Sequence, residues 1–419
     1  MRKLMMAALF ALPMFGAAAM AQDTLKIGWI DPLSGGAASQ GERALKLFRF
    51  LANELNAKGG VLGKQVEIVP FDSKLNPQES LIQAQKAIDA GIRILTQGQA
   101  SSVAGALTDF VTKYNERNPG KEILYLNYAA TDPVLTNDKC SFWHFRWEAN
   151  SDIKMEALTN YMKGIPSIKK LYLINQDYSF GQSVRSQARA MLAAKRPDIQ
   201  IVGDELHPLQ KITDFAPYIA KIKASGADSV ITGNWAQDFA LLLKAAADAG
   251  LRVNWYTYYA SSPGGPTAIK QGNLNNQVFQ VSVGFANIDY APAQAFEKAF
   301  RSKYGVGIMF YLPVNEMRML AAAADKAKSL EPVKMALALE GMEFEVFNGG
   351  KGYMRKDDHQ FFQPMYIASF GELTNGEPFD EENTGWGWKV LATVETAQTI
   401  LPTTCKMIRP TEGEPLNTK

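Results

Sequence analysis

Two successive runs of strand-like and helix-like segments constrain this chain more than any other feature. Residues 25–31 (LKIGWID) read as a strand. From Ala44 the apolar residues Ala44, Leu47, Phe48, Leu51 and Leu55 recur at three- and four-residue spacing, with Arg43, Lys46, Arg49 and Asn53 opposite. That period makes an amphipathic helix, which Gly59-Gly60 stops. Residues 65–71 form the next strand, and Asn76-Pro77 caps and starts a helix running to Ala90. Strands at 92–96 and 122–127 flank a helix over 102–115. After a less regular aromatic stretch (141–147), strands at 171–175, 199–204, 229–232 and 253–258 are separated by helices at 182–195, 215–224 and 238–249. From Ala291 the chain is helix-rich (291–303, 313–329, 333–339), then strand-like around 362–370 and 386–393. Such alternation predicts two parallel sheets, each covered by helices on both faces, with ligands at the carboxyl ends of the strands. A length of 419 residues agrees with at least two domains.

The first 21 residues read as a signal peptide. Arg2 and Lys3 are a positive n-region, residues 4–15 an apolar core, and Ala19-Met20-Ala21 a small-x-small cleavage site. The run is too short for a transmembrane anchor. Without Arg2 and Lys3 the charge balance is 42 against 42, so the exported protein is neutral and offers no broad basic surface for nucleic acid. Cys140 and Cys405 allow one disulfide in an oxidising compartment, or two unrelated buried thiols. His144, His207 and His359 are too scattered for a structural zinc site.

Enzyme signatures are scarce. There is no phosphate loop, no dinucleotide fingerprint after the first strand, no His-Glu-x-x-His and no nucleophile elbow. Residues 59–63 (GGVLG) lie between a helix and a strand, where a tight turn accounts for them. Asp357-Asp358-His359 reads as a polar loop, since adjacent residues seldom converge on one ion. No catalytic residue, metal site or cofactor is expected.

Several segments resemble periplasmic solute-binding proteins of the branched-chain amino acid type. These are Ile30-Asp31-Pro32-Leu33-Ser34-Gly35 after the first strand, the stretch 56–64 (NAKGGVLGK), and Phe71-Asp72. Ala100-Ser101-Ser102 and residues 129–136 (AATDPVLT) match the two ligand-holding loops of that family, and 176–181 (QDYSFG) continues the match. The resemblance implies the type I periplasmic binding protein fold: two doubly wound parallel-sheet lobes joined by three crossing segments. Lobe one would be 23–146 plus 284–355, and lobe two 147–283 plus 356–419 with the C-terminal tail; Trp147 and its neighbours would form the first crossing. It also implies a monomer in the periplasm that hands its ligand to an inner-membrane ABC permease and ATPase complex. A ligand-sensing subunit for a membrane signalling protein would share these features.

On this resemblance the ligand-binding residues are Gln40, Gln99, Ser101, Ser102, Ala129, Thr131, Phe180, Trp235 and Tyr259. Ser101 and Thr131 follow strand ends, where hydroxyl and N–H groups can hold a carboxylate; Ser101-Ser102 also suits a helix N-cap. The position that carries a glutamate against the ligand ammonium in branched-chain binders is here Tyr259, which supplies no negative charge at neutral pH. Two ligands compete: an amino acid, with Asp177 or Asp238 replacing the missing charge, or an aromatic or aliphatic acid without an amino group. A Cys140–Cys405 bond would tie the tail to the lobe junction.

Overall fold

The computed structural model describes residues 24–374 and 376–410. The signal peptide expected over 1–21 lies outside them. The first lobe holds β1 (Thr24–Asp31), α1 (Ala38–Ala57), β2 (Gln65–Asp72), α2 (Pro77–Asp89), β3 (Ile94–Gln97), α3 (Ser101–Arg117), β4 (Leu124–Asn127) and β5 (His144–Arg146). Its sheet runs β2-β1-β3-β4-β5 with every neighbouring pair parallel. Ile27, Trp29 and Ile30 in β1 are fully buried. This is the near-continuous apolar burial of a strand covered on both faces.

The chain then crosses through Trp147, whose indole N–H donates to Met319 Sδ at 3.2 Å, into the second lobe. There it forms α4 (Ser151–Met162), β6 (Lys170–Gln176), α5 (Ser179–Lys195), β7 (Gln200–His207), α6 (Ala216–Ser225), β8 (Ser229–Thr232), α7 (Ala236–Asp248), β9 (Asn254–Thr257), α8 (Gly265–Gln271) and β10 (Val278–Ser282). A second crossing leads to α9 (Ala291–Tyr304), α10 (Leu312–Ala327) and α11 (Pro332–Leu339), and to a small sheet of β11 (Glu343–Glu345), β12 (Lys351–Met354) and β13 (Phe361–Phe362). The third crossing is short. Gln363 and Pro364 separate β13 from β14 (Met365–Glu372), which with β15 (Trp386–Val394) completes the second sheet in the order β15-β14-β10-β9-β8-β6-β7.

Two sequence expectations change here. The second sheet is not wholly parallel, because β14 runs antiparallel to both β10 and β15. No helix separates β14 from β15, and a parallel pair requires a crossover connection. The return to the second lobe also falls later than residue 356. β13 pairs with β12, and His359 stacks on Phe145 next to it at 3.8 Å between ring centroids. The 356–362 segment therefore packs with the first lobe.

After β15 the chain passes back to the first lobe a final time. Thr403 Oγ1 donates to the Thr136 carbonyl, Arg409 Nε to Glu340 Oε1 at 2.7 Å, and Cys140 is disulfide-bonded to Cys405. The tail is thus a fourth connection between the lobes, and it is covalent.

Candidate functional site

The cleft between the lobes is built from loops at the carboxyl ends of parallel strands, the position where ligands bind in open α/β sheets. Residues of both lobes line it. On the first lobe, β3 leads into Gly98, Gln99 and Ala100 and then the first residue of α3, Ser101; β4 leads into Ala129, Ala130 and Thr131; Gln40 comes from α1. On the second lobe, β6 is followed by Tyr178 and Phe180, β8 by Trp235 and β9 by Tyr259. Phe310, just before α10, closes one side.

Asp31, at the end of β1, organises the first-lobe wall. It is fully buried and accepts from the Gly98 N–H at 3.0 Å, the Gln99 N–H at 2.8 Å and the Tyr128 hydroxyl at 2.6 Å. Burial outweighs these donors and pushes its carboxyl up to about 7. Gly98 has to be glycine, because a Cβ there would sit 2.6 Å from the Tyr128 ring. Ser101 Oγ joins the two first-lobe loops by accepting from the Thr131 N–H at 3.2 Å and the Asp132 N–H at 3.1 Å. Its own proton remains available for a ligand. Gln40 Oε1 and both amide atoms of Gln99 are buried without a protein partner.

The second-lobe wall is aromatic. Tyr178, Phe180 and Trp235 pack together, with the Trp235 indole N–H donating to the Tyr178 hydroxyl at 2.9 Å. Tyr259 meets the first lobe at Phe310, ring centroids 5.9 Å apart. Behind it the Lys154 ammonium stands 4.3 Å from the ring centroid and pairs with Glu148 at 3.2 Å. Burial pushes the Glu148 carboxyl up and the Lys154 ammonium down, each against its partner's opposing charge.

Of the residues expected in the site, the structure brings Gln40, Gln99, Ser101, Ala129, Thr131, Phe180, Trp235 and Tyr259 to the cleft. Ser102 does not line it. Adjacent helical residues face different ways, so with Ser101 inward Ser102 is turned aside. Tyr178 and Phe310 were not anticipated. Tyr178 adjoins Phe180 in a segment already singled out, whereas nothing in 305–311 marks Phe310. No charged side chain lines the cleft among the described residues. Asp177 is exposed and accepts from Gln182. Asp238 Oδ2 accepts from Gln176 Nε2 at 2.7 Å and the Gln210 N–H at 2.8 Å, and Oδ1 is buried without a protein partner. Neither acid lines the cleft. Among the described residues no group of three or more His, Cys, Asp or Glu could hold a metal ion, and no helix is long and apolar enough to cross a membrane.

Two α/β lobes with a cleft at their strand ends define a solute-binding protein of the type I fold. The chain belongs to the periplasmic binding protein family, whose model matches residues 24–376. It is 34% identical over 415 residues to a Leu/Ile/Val-binding protein homolog 4 of Brucella abortus, covering 96% of both chains. Against a leucine-, isoleucine-, valine-, threonine- and alanine-binding protein of Pseudomonas aeruginosa it is 24% identical, covering 85% of this chain and 92% of the other. The Brucella ovis protein of that description, solved in a closed conformation, is 31% identical with a TM-score of 0.80 and covers 93% of this chain and 100% of its own. A Rhodopseudomonas palustris solute-binding protein, solved with benzoate, shares the fold at 19% identity and a TM-score of 0.77, covering 91% and 99%.

Proposed function

We propose that this chain is the solute receptor of an ABC importer, and that its ligand is a small carboxylate with an apolar or aromatic body and no amino group. The observation that carries this reading is the absence of any charged side chain from the cleft lining among the described residues, with Tyr259 at the position where the family resemblance implies an acid against an ammonium. A buried ammonium without a partner is costly. A carboxylate is not so handicapped, since neutral hydroxyl and N–H donors satisfy it well. Ser101 and Thr131 supply hydroxyls, and α3 starts at the cleft with the Ser101 and Ser102 N–H groups, which have no carbonyl one turn back within the helix, while the Val103 N–H already donates to the Ala100 carbonyl. Phe180, Trp235 and Tyr259 suit a flat or branched apolar body. The benzoate held by the Rhodopseudomonas palustris relative is an acid of this class.

The names of the Brucella relatives favour a second reading, a branched-chain amino acid. Its ammonium would meet no acid in the cleft, only the Gln40 and Gln99 amide oxygens and aromatic faces. In either case the protein would act in the periplasm after removal of a signal peptide, as a monomer delivering its ligand to a membrane permease driven by cytoplasmic ATPases. Native mass spectrometry of freshly purified protein, followed by a thermal-shift screen of amino acids and small acids, tests the assignment. Stabilisation by acids and not by amino acids is the expected result; stabilisation by amino acids alone would overturn it.

A further inference from the structure

Phe310 lines two cavities. One is the ligand cleft. The other is a separate, small pocket, no larger than a water molecule, lined by Arg43, Ala44, Leu47, Ile308, Met309 and Phe310 itself. The two share a second wall along α1. Gln40 faces the cleft, and Arg43, Ala44 and Leu47 follow at three, four and seven residues, hence on the same helical face. The second cavity is mostly apolar, and its one charged side chain, Arg43, is 3.8 Å from Glu382. The Phe310 ring is held between Tyr128 and Tyr259, at centroid distances of 6.2 and 5.9 Å.

We propose that Phe310 is a length gate: its ring separates the ligand cleft from the second cavity and so sets the longest ligand body that the closed receptor accepts. The inference rests on the cleft being the ligand site, not on the ligand's head group. A ligand body reaching Phe310 has no further room, although apolar space lies immediately behind the ring. Replacing the ring by a methyl group joins the two cavities along α1. Each methylene that then enters the second cavity leaves water for an apolar surrounding, worth about fourfold in affinity.

The test is titration calorimetry on the parent, Phe310→Ala, Phe310→Leu and the double variant Phe310→Ala/Ala44→Leu. The probes are straight-chain monocarboxylates from propanoate to octanoate and para-alkylbenzoates, with straight-chain α-amino acids in parallel. The parent should show a length beyond which affinity falls. Phe310→Ala should move that cut-off to longer ligands, and Ala44→Leu, which fills the second cavity from α1, should move it back. Phe310→Leu should shift the cut-off part of the way, and it carries the test alone if the alanine variant does not fold. An unchanged cut-off in a folded variant, or a shift that survives Ala44→Leu, overturns the gate. Should only the amino-acid series bind, the carboxylate reading fails and the cut-off within that series still judges Phe310. Should no probe bind the parent, the site itself is misplaced and the gate falls with it.

Discussion

The Tyr259 hydroxyl, carried by the second lobe, stands 3.5 Å from the Ala129 carbonyl oxygen of the first. One side chain therefore lines the cleft and touches the opposite lobe. It also covers the Lys154 ammonium, which is already committed to Glu148. Glutamate at this position would put a second carboxylate on one buried cation. For a ligand without an ammonium, Tyr259→Glu should abolish binding in calorimetry; for an amino acid it would be tolerated or would tighten binding.

Ser101→Ala removes the acceptor shared by the Thr131 and Asp132 N–H groups. Leaving buried donors short of a partner costs about 1–3 kcal/mol. The variant should therefore unfold at a lower temperature and also bind more weakly, because both loops form the cleft wall. Differential scanning calorimetry and ligand titration would register the two losses separately. A variant as stable and as tight-binding as the parent would contradict the account of the loops.

The Cys140–Cys405 bond spans 265 residues and fastens the tail from β15 to the first lobe. Chain-entropy accounting for so long a loop gives roughly 5 kcal/mol. Peptide mapping without reductant should recover the linked pair, and Cys140→Ser/Cys405→Ser should unfold at markedly lower denaturant. Two free thiols in protein expressed in the periplasm would refute the bond.

Glu316 on α10 is fully buried and accepts from Thr96 Oγ1 at 2.6 Å; burial, reinforced by nearby Asp31, raises its carboxyl from 4.5 to about 8. A raised acid favours folding most when both states hold the proton, below about 4.5, and that contribution is lost as pH rises towards 8. Glu316→Gln never ionises. Its stability relative to the parent should therefore increase between pH 5 and 8 in urea titrations, and a pH-independent difference would count against a protonated Glu316.

Much of this was legible because apolar periodicity and turn residues act locally. Asn76 caps α2 by accepting from the Glu79 N–H, and β1 to β4 fall within about two residues of where the pattern puts them, whereas β5 lies in the stretch that reads as irregular. α4 escaped the pattern because it is buried on several sides: Ile153, Lys154, Met155, Ala157 and Leu158 all lie inside, and only a narrow half-buried polar stripe, Asp152, Glu156 and Asn160, marks the helix. The antiparallel β14 and the late third crossing depend on where the chain re-enters a sheet, which local sequence does not encode. In the cleft, residues within recognisable loops were found. Phe310 was not, since its position arises from packing between distant segments; nor was the Glu148–Lys154 pair behind Tyr259, six residues apart where the chain enters α4.

The central claim is that the cleft accepts a carboxylate and offers no negative charge to an ammonium. Matched pairs differing only in the amino group test it most directly: 4-methylpentanoate against leucine, and 3-phenylpropanoate against phenylalanine, titrated calorimetrically into protein stripped of bound ligand by unfolding and refolding with the disulfide intact. The account predicts that the acid of at least one pair binds and that its amino-acid counterpart binds at least tenfold more weakly or not at all. Tighter binding of the amino acid in every pair that binds would contradict it.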